Sequence, residues 1–269
     1  MSASDYSGSH SRSRYWVYSC LYASEADSLN WPEQRRLWRQ QCLPDGRRLS
    51  YKTLNDGMRA RALGPFLDNA ELLSGALITI AVDKDMNWLT TSPATVATLS
   101  RLGALSGRWG PAAFELMSRI TLLWSLGLAA LCQPNQHVTW ITDEDDIAAN
   151  DDRHTDLLNW AAKFCGLFIN CPMQQLDVST TAADNGARGL EDFVAIPDLC
   201  AGMLGELVNS SHMSGGADNS NCIDLASVKP KAGLLSDWYF TSSESLRRIA
   251  IVIKRNERGE GVVSRWTTI

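Results

Sequence analysis

The sequence predicts an α/β fold, a mixed sheet flanked by helices and carrying helical insertions, and three observations support that prediction. Two runs of strand length end abruptly in charge: GALITIAVDKD from Gly75, continuous in apolar residues as a central strand buried on both faces is, and HVTWITDEDD from His137, a β-branched strand running into acids. Around them lie segments whose apolar residues recur at helical spacing. With 269 residues, 45% hydrophobic content and a mean hydropathy of -0.16, the chain can bury a substantial core as one large domain or two small ones.

In chain order, RYWVYSCLY (Arg14 to Tyr22) is rich in aromatic and β-favouring residues and reads as a buried strand after a DYSG turn. SLNWPEQRRLWRQQCL reads as a helix, with Pro32 in its first turn and Leu37 and Trp38 on its apolar side. RRLSYKTL is expected to be a short strand. A helix follows from about Asp56 to Leu73, with Leu63, Phe66, Leu67 and Ala70 in phase. After the Gly75 strand comes a long helical region from Pro93 to Leu131, broken near LSGRWGP by its glycines and Pro111. The His137 strand leads to a helix from Arg153 to Phe168, and MQQLDVST reads as a further strand. VAIPDLCAGMLGELVN reads as a helix with Pro197 near its first turn, which puts Asp198 at the helix start. SSHMSGGADNSN (Ser210 to Asn221) is the one flexible segment. LRRIAIVIKRNERGEGVVSRWTTI contains two β-like runs about a Gly-bearing turn and predicts a late hairpin. The organisation expected is an α/β domain over 1–209 with a helical insertion at about 91–133, a flexible segment over 210–233, and a hairpin extension over 234–269 packed on the same domain. There is no internal repeat.

No apolar run is long enough to suggest a membrane span, and no basic segment precedes an apolar stretch at the N-terminus, so a cytoplasmic protein with no membrane contact is expected. ITLLWSLGLAALC, Ile120 to Cys132, reads as a buried helix. Seven scattered cysteines without a C-x-x-C pair argue against a disulfide framework or zinc ribbon, and four dispersed histidines show no H-x-x-x-H signature.

The net charge of -5 argues against indiscriminate nucleic-acid binding, yet it conceals an asymmetry. Up to Arg61 there are ten basic residues against six acids, a balance of +4, whereas Asp143 to Glu206 holds thirteen acids against three basic residues, a balance of -10. Such a chain can place a phosphate-binding rim around an acidic, cation-binding centre; the plain alternative is a solvated surface.

Three acids stand where chemistry could use them: Asp5 after a very short first strand, Asp143 ending HVTWIT, and Asp198. Ligand sites of open α/β folds lie at strand ends, so acids far apart in sequence can converge there. Convergent carboxylates are stable as anions mainly when they share a cation, and oxygen-only ligands suit Mg2+ or Mn2+. Two such ions can activate a water and stabilise the leaving oxygen in phosphodiester cleavage. Neighbours on a strand face opposite ways, so the four acids of DEDD cannot share one ion. Asp143 is the favoured ligand, Glu144 a second participant, and Asp145 and Asp146 turn or capping residues. Read without context, DEDD is more simply a solvated acidic turn, Asp83 an ion-pair partner of Lys84, and Asp198 an offset to a helix dipole. His10 near DYSG is a candidate phosphate contact or proton shuttle, against a plain surface role.

The order of these pieces resembles a bacterial family known as domain of unknown function 3800, considered ribonuclease-H-like. That family opens on a D-E-S-G turn followed by an aromatic-aliphatic strand, to which DYSG and SRYWVYSCLYA are similar. Its later hallmarks are a strand ending in an acid and a helix of the form A-D-x-x-A-G, to which WITDEDD and IPDLCAG are similar, so the resemblance covers Ser4 to about Val208. It implies a ribonuclease-H-like fold with Asp5, Asp143 and Asp198 as the acidic cluster. Tyr6 stands where the family has glutamate, which removes one candidate ligand, and almost no strand precedes Asp5. Lys52 falls where such proteins carry a polar or charged residue, and with His10, Arg12 and Arg14 it makes up the candidate substrate contacts.

Three functions compete on these grounds. The first is a metal-dependent nuclease acting on RNA or DNA. The second is an inactive ribonuclease-H-like subunit that binds nucleic acid or a protein partner in a mobile-element or defence complex. The third is a carboxylate-pair glycosidase, which would need tryptophans exposed in a cleft.

Overall fold

A computed structural model describes residues 1–86, 92–213, 228–256 and 258–266. Its strands are β1 (Ser2–Ser7), β2 (Tyr15–Ala23), β3 (Gly75–Asp83), β4 (His137–Thr142), β5 (Gln175–Thr180), β6 (Leu246–Arg255) and β7 (Gly261–Trp266). They form one seven-stranded sheet in the order β5-β4-β1-β2-β3-β6-β7. The β1/β2, β2/β3 and β6/β7 pairs are antiparallel, and the β1/β4, β4/β5 and β3/β6 pairs are parallel. Among the described residues the α-helices are α1 (Trp31–Cys42), α2 (Gly57–Ala70), α3 (Pro93–Arg101), α4 (Pro111–Ala129), α5 (Asp151–Phe168), α6 (Gly189–Met213) and α7 (Pro230–Phe240). The chain is therefore a mixed α/β fold, its sheet flanked by helices on both faces.

Strand alternation divides the core in two. Along β2, Val17 and Leu21 join the core under α1, α2, α6 and α7, whereas Tyr18, Cys20 and Tyr22 join the one under α4 and α5. On β1, Ser2 and Ser4 face α4: their hydroxyls accept the indole N–H groups of Trp124 and Trp140 at 3.0 and 2.9 Å. Those two rings stack at 4.4 Å between centroids, fully buried. Ala3, Asp5 and Ser7 consequently face α6, and the Ser7 hydroxyl donates to the Ala201 carbonyl at 2.9 Å. A register slip of one residue would send Asp5 into the tryptophan core.

The structure departs from the sequence expectations at five places. First, β1 is a full six-residue strand with Asp5 inside it rather than a stunted strand ending at Asp5. Second, RRLSYKTL makes no strand; Tyr51–Thr53 is a 3-10 turn, because the Asp198 carboxylate takes the Tyr51 N–H and the Ser50 and Thr53 hydroxyls bond each other, leaving no ladder to join. Third, α6 begins at Gly189, so Pro197 and Asp198 lie inside it; Asp184 starts the helix by accepting the Leu190 N–H at 2.9 Å. Fourth, α7 occupies residues assigned to the flexible segment and the hairpin, and α6 continues to Met213, while 214–227 of the expected flexible segment lie outside the described residues. Fifth, α4 is long and apolar enough by composition to cross a membrane, contrary to the reading of the sequence, although most of it is buried inside the fold. The late hairpin forms as β6 and β7, and β6 continues the main sheet by pairing with β3.

Candidate active site

The β1/β4 register explains how residues far apart in sequence meet. Ala3 pairs with Ile141 in parallel, so Asp5 and Asp143 each stand two residues further along neighbouring strand paths, on the side facing α6. Asp198 comes from α6 itself, which approaches closely because Gly202 and Gly205 present no side chains. A Cβ on Gly202 would lie 2.2 Å from the Tyr51 ring, and one on Gly205 would lie 3.2 Å from the Ser7 hydroxyl. Gly202→Val is therefore expected to cost about 1–3 kcal/mol by overpacking and to push Tyr51 away from Asp198. Urea unfolding checks the stability, and an unchanged midpoint would mean that α6 can retreat freely.

These elements wall a cleft of about 1690 Å³, with Asp5, Asp143, Asp145 and Asp198 at its acidic centre. Burial and the nearby Asp198 carboxylate hold the Asp5 pKa well above the usual carboxylate range. Burial likewise pushes Asp198 up to about 6, even though the Tyr51 N–H donates to its Oδ2 at 2.6 Å. Asp145 is raised by burial and accepts the Tyr6 hydroxyl. Strand alternation puts the Tyr6 ring against the α4/α5 core, on the opposite face of β1 from Asp5, and Tyr6 also lines the cleft.

Asp143 is held differently. Arg48 donates to its Oδ2 at 2.9 Å, the Thr181 hydroxyl to its Oδ1 at 2.9 Å, and Arg48 also reaches Glu191 at 3.6 Å. Glu144 lies at the edge of the cleft with the Thr180 hydroxyl 3.4 Å from its carboxylate, and the acids that raise Asp5 are Asp198, Asp145 and Asp143. Among the described residues no three Asp, Glu, His or Cys side chains stand together as a metal-holding group. The donor set still fits one hard cation: Mg2+ is commonly held by one or two carboxylates plus substrate phosphates, and Asp5 and Asp198 are such a pair, oxygen-only, desolvated and mutually repelling.

Of the expected substrate contacts, His10, Arg12 and Lys52 line the cleft, and Lys52 favours the ionised form of Asp198. Arg14 belongs elsewhere: its guanidinium pairs with buried Asp83 at 2.9 and 3.0 Å, where two strand ends meet. Asp83 is thus an ion-pair residue, with Arg14 rather than Lys84 as its partner. Sequence reading missed Tyr51, Glu206, Lys229 and Lys231. The Tyr51 hydroxyl donates to Glu206 at 2.7 Å, Lys229 pairs with Glu206 at 3.1 Å, and Lys231 donates to the Tyr51 carbonyl at 2.8 Å while lying 4.2 Å over the Tyr51 ring. The signal for Glu206 was present, since it stands two helical turns from Asp198 and on the same face.

Fold and site together define an α/β protein with a desolvated carboxylate cleft at the end of its central strands. No family model matches the chain, and no curated protein matches it in sequence. Among solved structures, ribonuclease H2 from Pyrococcus horikoshii OT3 is similar over 89% of this chain and 87% of its own, with 11% identity and a TM-score of 0.40.

Proposed function

We propose that this chain is a ribonuclease-H-like nuclease, dependent on Mg2+ or Mn2+, that hydrolyses phosphodiester bonds in RNA or DNA. The observation that carries the reading is the Asp5 and Asp198 pair, two half-buried carboxylates from different elements whose charged forms are disfavoured by burial at the bottom of an open cleft. Desolvated groups with a shared charge problem are commonly functional, because nothing in the fold itself rewards their burial. Asp5 and Asp198 hold the cation, which when bound supplies charge neutralisation at the phosphate and a more acidic water. Lys52 and Lys231 beside Asp198, with Arg12 and His10 on the rim, take the phosphate oxygens of the strand. Trp16 is the one tryptophan in the cleft among the described residues, and Lys84 covers its face at 4.7 Å, so the sugar platform of a glycosidase is missing there.

A second reading, a binding subunit that has lost hydrolysis, is favoured by the Arg48 clamp on Asp143. Calorimetric titration of Mn2+ into the wild type, Asp5→Asn and Arg48→Gln, with cleavage of labelled single-stranded and duplex RNA and DNA on the same samples, separates the two. The nuclease reading expects binding and cleavage in the wild type and loss of both in Asp5→Asn. Nucleic-acid binding without Mn2+ uptake or cleavage in any of the three would select the binding subunit.

A further inference from the structure

At the end of the sheet remote from the cleft, α4 and α5 are each followed, three residues after their last turn, by a cysteine, Cys132 and Cys171. The turns that carry them are tied by backbone bonds, Asn135 N–H to the Pro172 carbonyl at 2.7 Å and Gln174 N–H to the Gln136 carbonyl at 3.0 Å. The Cys171 sulfur lies 3.9 Å from the Cys132 carbonyl oxygen, and both residues are half-buried, within reach of small solutes. We propose that Cys132 and Cys171 are an oxidation site that closes to a reversible disulfide when the protein meets a peroxide. The Cys171 sulfur already lies against the Cys132 backbone, and burial together with the neighbouring sulfur raises the Cys132 pKa, which disfavours Cys132 as the first nucleophile.

The Cys171 thiolate attacks the peroxide, breaking its O–O bond; Cys171 becomes a sulfenic acid and one oxygen leaves as water. The Cys132 sulfur then displaces the sulfenic hydroxyl, which leaves as a second water as the S–S bond forms. Two thiols give up two electrons and two protons, and hydrogen peroxide is reduced to two waters. The bond links positions 39 residues apart and fastens the N-terminal ends of β4 and β5 to each other. Cys165, buried at the end of α5, is near enough to feel the Cys132 sulfur and is the competing partner.

Full-length protein treated with hydrogen peroxide and mapped without reduction should yield a Cys132–Cys171 linked peptide and lose two of its seven titratable thiols. Its Tm should rise by about 5 °C, all of it reversed by dithiothreitol. In Cys132→Ser, dimedone should capture Cys171 as a sulfenic acid. If that variant fails to fold, the wild-type map decides alone. Linkage of Cys132 to Cys165, or recovery of Cys132 and Cys171 both unlinked after oxidation, overturns the assignment.

Discussion

Asp198→Asn is expected to raise the melting temperature by about 5 °C or more at pH 8 and to leave it unchanged at about pH 3. Burial lifts the Asp198 pKa from 3.8 to about 6 in the folded chain. Well below the unfolded value of 3.8, near about pH 3, the folded and unfolded states both hold the proton, and the carboxyl costs nothing. Between about 4 and 6 the folded state binds more protons than the unfolded one, so stability falls as pH rises. Above 6 the whole loss is present, on the order of 3 kcal/mol for a shift of about two pKa units. The amide keeps an oxygen for the Tyr51 N–H and removes the charge, so the loss should vanish. Mg2+ should achieve the same in the wild type at pH 8, by about 2.7 kcal/mol at a hundred times its Kd, and should do far less in the variant. Thermal melts at the two pH values, with and without Mg2+, check this. A variant less stable than wild type at pH 8 would mean that the carboxylate is already neutralised within the fold.

The sequence revealed the parts of the site but not the way they are held. Asp143 was legible because it ends a β-branched run, and β4 does stop at Thr142. Asp5 was singled out as a residue beyond a stunted strand, whereas it sits inside β1; what turns it toward α6 is the pairing of Ser2 and Ser4 with two buried indoles more than a hundred residues away. Asp198 was placed at a helix start because proline favours a first turn. The real start is fixed by Asp184, and a proline interior to α6 is tolerated by packing that no local pattern discloses. The loop at Tyr51 read as a strand for the same reason: its N–H is claimed by Asp198, a partner 147 residues on. The missed α7 is a different failure, since Pro230 at its first turn and Ala232, Leu235 and Tyr239 in phase were visible signals.

Asp192→Ala is expected to cost about 3–5 kcal/mol and to loosen the cleft as well as the fold. Asp192 is fully buried in the first turn of α6, and its two oxygens are taken by Arg39, whose Nε lies at 2.8 Å, and by Arg35 at 2.8 Å. Arg39 is itself buried and donates from its other side to the Arg47 carbonyl at 2.9 Å, next to the Arg48 that holds Asp143. Removing the acid leaves a guanidinium in the interior without its counter-charge, which costs far more than the pair contributes when intact. It also frees the start of the helix that carries Asp198 and the loop that carries Arg48, so Mn2+ uptake should weaken along with the denaturation midpoint. The double variant Asp192→Leu with Arg39→Met should recover part of the stability, because an apolar pair of similar volume removes the two most buried charges and leaves only Arg35, the more exposed of the two arginines, without its partner. Urea unfolding of the single and double variants gives the test. A single-variant loss below about 1 kcal/mol, the scale of a solvent-screened pair, would show that water reaches Arg39 and that α6 is held at its start by packing alone.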